Sequence, residues 1–444
     1  MHQRILRVLL VLTCLGFWLN SARAESEARP LPDYDGRGEP PTTPGDVLIW
    51  VPRVIVFPIY LVTEYVIRRP LGWLISSAER ANVPAFLYDF FTFADHQAGV
   101  VPTALLDFGF YPSFGVYAFW NNAFVPNHDM RLHGAFGGGE WLGASLSDRW
   151  YLDKARRDGI HLDVRGERRP DFAYFGVGPD TRQSDLTRYG RDLRQLLLGF
   201  DVGLWRASSF HAEVGFDAVE FRRGGYDGDP TLADEIEAGR QPLPPGYDGN
   251  YRLVHSRLGA ALDTRLPRPA PGGGVRVEGF VAHYADLKRD ESFLRYGAGG
   301  GVSLDLNQRR RVLSLGGLVR FVDPINGAQI PFTELVSLGG TEPMRGLYPG
   351  RLYDRSAAVV GLGYRWPVWM WLDGAIRTEV GNVFGEHLSG FRVGRLRWSG
   401  AIGVESVGTP DNSFELMFGA GSETFESGGT IDSFRLVLGT TSGF

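Results

Sequence analysis

The stretch Phe210–Glu220, FHAEVGFDAVE, reads as two interleaved sets of residues. Ala212, Val214, Phe216 and Ala218 form an apolar set, and His211, Glu213, Gly215 and Asp217 a polar one. A period of two is that of a β-strand with two unlike faces. The same alternation sets Ile160, Leu162 and Val164 against His161, Asp163 and Arg165. It sets Leu396, Trp398, Ile402 and Val404 against Arg395, Arg397, Ser399 and Glu405, and Phe414, Leu416 and Phe418 against Ser413 and Glu415. A soluble sandwich also alternates, with its apolar side inward. Here the polar sets carry full charges and the apolar sets carry aromatics, which fits lipid outside and a charged, wet lumen inside.

Working outward gives about sixteen such strands between residues 98 and 444, a count typical of a transmembrane barrel. They are predicted near 98–108, 112–121, 129–138, 141–152, 159–168, 188–205, 209–222, 251–265, 274–287, 293–306, 310–322, 355–367, 371–380, 393–406, 413–421 and 432–444. Long connections follow the fifth, seventh, eleventh, thirteenth and fifteenth strands, and short ones the sixth, tenth, twelfth and fourteenth. That asymmetry is expected of a barrel with long loops outside and short periplasmic turns. YPS after the first strand is short and NAFVPNHD after the second is long, so the early hairpins follow it less closely. The fold class is therefore all-β: a sixteen-stranded antiparallel transmembrane barrel with a short N-terminal helical segment.

The chain has 444 residues, 13% aromatic residues, 59 glycines and a net charge of −5, which leaves no global basic footprint for nucleic acid. Residues 1–24 read as a secretory signal, with Arg4 and Arg7 before an apolar run and Ala22-Arg23-Ala24 as the cleavage site. Cys14 is the one cysteine; Thr13 before it does not suit lipidation, so the mature chain has no thiol and no disulfide. Residues 25–46 are a proline-rich disordered leader. Residues 47–97 are apolar but broken by Pro52, Arg53, Pro58, Glu64, Arg68, Arg69 and Pro70. A helical segment at the periplasmic membrane face is expected there; a lumen plug and a spanning helix are the alternatives.

The last strand places Phe434, Leu436, Leu438 and Phe444 on one face. A chain ending in an aromatic this way resembles the carboxy-terminal assembly signal of bacterial outer-membrane proteins. Between the eleventh and twelfth strands lies GGTEPMRGLYPG, residues 339–350, followed by VVGLGYRWPV (359–368) and by Glu379-Val380-Gly381-Asn382-Val383. Upstream stands YFGVGP (174–179) before a strand led by Tyr189. In this order the pieces resemble the bacterial surface antigen superfamily, the outer-membrane barrels of BamA and TamA type. Gly363 stands where members often carry an acid, and no periplasmic transport-associated domain is recognisable before residue 98.

The resemblance implies that the loop carrying Gly339, Gly340, Met344, Arg345, Gly346 and Leu347 folds back into the lumen. Its arginine is then expected to pair with Glu379, which shares a lumen-facing parity with Asp373 and Arg377. The resemblance also implies insertion or export of polypeptides, or of lipids, at the outer membrane of a Gram-negative cell. A structural or porin-like barrel is the alternative, and an outer-membrane phospholipase a more distant one. Implied partners are outer-membrane lipid, the machinery that inserts the barrel itself, and a client polypeptide or lipid; no cofactor is implied.

Other constellations point to no chemistry. His161 with Asp163 and His211 with Glu213 have a spacing that suits a metal, but charged lumens are full of such pairs. No G-x-S-x-G occurs, so no catalytic residue is assigned and no enzyme is expected. Asp227, Asp229, Asp234, Glu235 and Glu237 read as a solvated loop rather than a calcium site. Gly297–Gly301 lies in a strand with no helix after it, unlike a nucleotide loop.

Overall fold

The computed structural model describes Tyr65, Trp73, Phe86 and residues 89–441, apart from 266–271, 307–309, 342, 370–371 and 408–412. The signal, Cys14, the leader, nearly all of the 47–88 stretch and Phe444 lie outside the described residues. Among the described residues no helix is long and apolar enough to cross a membrane.

Sixteen long antiparallel strands form the wall, as the alternation predicts. They are β1 (Ala98–Asp107), β2 (Ser113–Trp120), β3 (His128–Phe136), β4 (Leu142–Tyr151), β5 (Gly159–Tyr174), β6 (Thr187–Gly203), β7 (Ser209–Arg223) and β8 (Tyr251–Asp263). There follow β9 (Gly274–Asp286), β10 (Glu291–Asp305), β11 (Val312–Ile325), β12 (Ser356–Trp369), β13 (Leu372–Phe384), β14 (Arg397–Ser406), β15 (Ser413–Ser422) and β16 (Ile431–Thr441). Each pairs with its neighbours in sequence, and β16 returns to β1, closing the barrel. The exposed apolar residues alternate along the strands, Leu196, Leu198 and Phe200 on β6 and Val214 on β7 among them. Such a wall is unfavourable in water and favourable in lipid.

One strand runs longer than the sequence suggests. β5 continues to Tyr174 through a bulge between Arg169 and Phe172, so DFAY belongs to the wall and not to the loop after it. The bulge resets the side-chain alternation, which hides the extension from a strict period of two.

The wall is uneven in height. β6 has 17 residues and β2 has 8. The short strands flank the closing seam.

The outer half of the barrel is filled. The connection 326–355 turns inward, with a short ladder in which Val336–Leu338 pairs with Leu352–Asp354. Its Phe332, Leu338, Met344, Leu347 and Leu352 are fully buried. They pack with Tyr174, Tyr189, Tyr251 and Phe293 from the wall in one apolar cluster. Phe332 is the hub: its ring lies 5.0 Å from Tyr174, 5.3 Å from Tyr189 and 5.4 Å from Phe221. Burying each such side chain contributes about 1.5–3 kcal/mol, enough to hold a long loop inside.

Candidate functional site

The site is the tip of the in-folded loop and the strands it touches. Gly339 and Gly340 take φ of 104° and 73°, values open to glycine, and turn the chain out of its short ladder. Met344 holds φ of 68° although it has a side chain. That conformation costs energy, and the fully buried Met344 side chain offsets it. The turn aims the Met344 amide at β13, where it donates to Glu379 Oε2 at 2.6 Å.

Arg345 goes elsewhere. Its Nη1 donates to Glu415 Oε2 on β15 at 3.0 Å. The expected pair with Glu379 is therefore corrected. Glu379 caps the backbone of the turn, and the guanidinium reaches past it to the acid near the start of β15. Reach depends on strand register across three strands, which parity on β13 alone does not supply.

Gly346 is the point of closest approach. Its amide donates to Ser399 Oγ at 2.9 Å, and its carbonyl accepts from Ser433 Oγ at 3.1 Å. A Cβ here would run into the Ala420 carbonyl and come 2.8 Å from the Gly400 oxygen. Leu347 lies against Gly421 of the same wall. The loop tip is thus seated on β13, β14, β15 and β16.

A second arginine completes the seat. Arg435 on β16 is buried and donates to the Gly340 carbonyl at 2.6 Å and the Arg345 carbonyl at 3.3 Å. Its other nitrogens hold Asp107 of β1 in a two-pronged pair at 3.0 and 2.6 Å. Asp107 lies where β1 meets β16. Among the described residues only three register there, Leu105–Asp107 with Val437–Gly439, and the Phe108 amide adds a bond to the Leu436 carbonyl at 3.0 Å. By contrast β6 and β7 register from Tyr189–Arg223 to Gly203–Ser209. Nearer its start, β1 pairs instead with Thr92–Phe93, which the turn at Ala94, Asp95 and His96 folds back onto it.

Toward the outer mouth the loop is locked again. Arg351 and Arg397, both fully buried, converge on Glu423 at 3.3 and 2.5 Å. Both also donate to the Thr181 carbonyl, at 2.8 and 2.6 Å. Asn382 donates to the Pro179 carbonyl at 3.1 Å, so the Glu379–Val383 and Tyr174–Pro179 stretches meet here. Burial and the neighbouring Arg397 lower Arg351 to about 10. Burial opposes ionisation of Glu423, but hydrogen bonds with Asp432, the Gln183 amide and Arg397 bring it down to about 2. The sequence reading missed Arg351, Arg397 and Arg435. The lumen-facing parity of Arg397 and Arg435 was the available signal.

Below the loop lies a cavity of about 380 Å³. Pro343 bounds it above, with Arg276, Glu278, Arg377 and Glu405 around it. Gly299, Gly301, Gly316, Gly361 and Gly363 form its bare back wall.

The remaining candidates take separate places. Phe434 is exposed on the outer face, and Leu438 packs beside Leu372 and Phe414. His161 pairs with Asp201 at 2.9 Å and lies 3.6 Å from Asp163. In the acidic loop Asp229 pairs with Arg188 at 2.8 Å, Glu237 with Arg223 at 2.6 Å, and Glu235 with Arg240 at 2.6 Å. Asp234 also pairs with Arg223. Among the described residues Asp323, Glu386 and His387 form one group with metal-ligand spacing. Arg355 already sits on both of its carboxylates, at 3.1 and 3.0 Å.

Solved structures share this architecture. BamA from Haemophilus ducreyi lacking POTRA domains 1–3 matches with a TM-score of 0.54 and 13% identity, over 78% of this chain and 70% of that one. CdiB from Escherichia coli matches with a TM-score of 0.50 and 10% identity, over 77% of this chain and 62% of that one. The chain thus spans less than two thirds of CdiB. At such identities the likeness is one of fold. No protein-family model matches the chain, and no curated protein matches it in sequence.

Proposed function

We propose that the chain is an outer-membrane barrel that assists insertion or export of polypeptides, acting through the seam between β1 and β16. One observation carries this reading: among the described residues the seam is zipped by three registered residues, one further backbone bond at Phe108 and one arginine–aspartate pair. A short ladder costs little to part, and the freed edges are templates for an incoming strand. The strands beside it support the reading. β2 has 8 residues, below the about 9–11 that a tilted strand needs to span a bilayer, so the wall is low next to the seam. The porin-like alternative is disfavoured, because the packed 326–355 loop fills the outer half of the lumen.

The test is to lock the seam. Cysteines replace the registered residues Leu106 and Leu438, and a control pair replaces Ile402 and Phe418 within the β14–β15 ladder. Each oxidised variant then replaces the wild type in the native host, and the outer-membrane proteome is compared. Loss of specific outer-membrane or secreted proteins with the seam lock alone supports the reading. Full complementation by the locked seam overturns it in favour of a structural barrel.

A further inference from the structure

The outer surface of β5–β8 carries a band of ions where a lipid-facing wall should be apolar. Arg194 lies on the same face of β6 as Leu196, Leu198 and Phe200, all exposed. Its inward neighbour Leu193 packs on the internal apolar cluster. Register extends the row from Gly166 on β5 through Arg194 and Ala218 on β7 to Arg252 on β8. The next outward-facing row holds Arg168, Asp192 and Glu220. Arg222 follows beside Gly190.

The band sits at a definite height. From the turn at Leu204–Trp205, a rise of ~3.3 Å per residue at ~40° of tilt puts Arg194 roughly 25 Å away, the height of a barrel's apolar belt. These guanidiniums therefore stand at the rim where lipid headgroups begin.

Their own acids leave them undersupplied. Four guanidiniums (Arg168, Arg194, Arg222, Arg252) face three carboxylates (Asp192, Glu220, Glu140). Asp192 is shared by Arg168 at 2.7 Å and Arg222 at 2.6 Å. Arg194 is 3.8 Å from Glu220 with 70% of its side chain exposed. Arg252 is exposed; its amide donates to Asp286 Oδ1 at 3.5 Å, and its guanidinium forms no ion pair with a carboxylate among the described residues. Gly166 leaves a notch beside Arg194, since a Cβ there would touch nothing within 4 Å. Two exposed forks two strands apart, about 10 Å, suit phosphate groups, which accept paired N–H donors.

The geometry points to a lipid-facing binding site for a phosphorylated glycolipid of the outer leaflet, with Arg194 and Arg252 as its primary phosphate contacts and Arg168 at its edge. This rests on the outer-membrane reading above, which cell fractionation checks separately. The probe is purified lipid A, offered to the folded full chain in detergent and followed by native mass spectrometry. Lipid A stripped of its phosphates and inorganic phosphate serve as comparisons. Phosphorylated lipid A is expected to bind at least about tenfold more tightly than the stripped form. The triple variant Arg168→Gln, Arg194→Gln, Arg252→Gln is expected to lose that preference. Millimolar inorganic phosphate is expected to leave the complex intact. Equal binding of the stripped lipid overturns the proposal without any variant, so a folding failure in the triple variant does not shelter it. An unchanged preference in the folded triple variant, or displacement by inorganic phosphate, overturns it as well.

Discussion

Arg435 on β16 holds Asp107 on β1 through two nitrogens, while its third reaches the Gly340 carbonyl of the in-folded loop. One guanidinium thus joins the barrel's closing seam to the segment that fills its lumen.

Breaking that pair is expected to be costly. Arg435 is buried, and removing one partner of a buried ion pair costs about 3–5 kcal/mol. Arg435→Ala should lower barrel stability in denaturant by about that much and expose the 326–355 loop to protease. Asp107→Asn should weaken the seam with less effect on the loop. Equal protease protection of the loop in both variants would contradict the joint role.

The partner of Arg345 is tested by two double-mutant cycles. Arg345→Ala with Glu415→Gln should give a coupling of about 0.5–3 kcal/mol, as neighbours in one ion pair do. Arg345→Ala with Glu379→Gln should give a smaller one, since Glu379 accepts from the backbone of Met344. The reverse ranking would restore Glu379 as the partner.

Gly346→Ala introduces a methyl where the Ala420 carbonyl lies. Overpacking of this kind costs about 1–3 kcal/mol, and backbone has little room to yield. The variant is expected to fold as a barrel with its loop unseated, seen as new protease sites near residues 339–350. Gly363→Ala, at a position facing the cavity, is the control and should change neither stability nor cleavage.

Acid should loosen the outer mouth. Glu423, which shares a hydrogen bond with Asp432, is held well below the ordinary carboxylate value of 4.5, to about 2, so its contribution fades as pH falls from ~4.5 toward 2. Hydrogen exchange of residues 179–186 and 350–352 should therefore rise across that window. In Glu423→Gln it should already be raised at neutral pH and change little on acidification.

The wall was legible in the sequence because lipid demands one apolar face from every strand, and that demand is local. Phe210–Glu220 states it within one strand. Motif residues announced that residues 339–350 were special, for only glycine suits Gly339, Gly340 and Gly346. What the loop touches was not legible. Arg345 could be seen to need an acid, but choosing Glu415 over Glu379 requires the register of three strands. Arg435 was hidden in a strand read for its outward residues Phe434, Leu436 and Leu438, although its opposite parity pointed inward. Arg351, in an irregular segment, offers no periodicity at all.

The arginines that seat the in-folded loop grow drier from the cavity to the Glu423 cluster. Arg377, beside Glu405 at the cavity, keeps 35% of its side chain exposed; Arg345 keeps 24%, Arg351 1% and Arg397 none. Along this one line of contacts the loop thus experiences a dielectric gradient. At the low end a pair resembles one on a protein surface, worth ~0–1 kcal/mol and weakened by salt. At the high end the same chemistry is shielded from counterions and intolerant of losing a partner. Added salt should therefore loosen the loop's seat from the Arg377–Glu405 end while the Arg351–Glu423–Arg397 cluster holds.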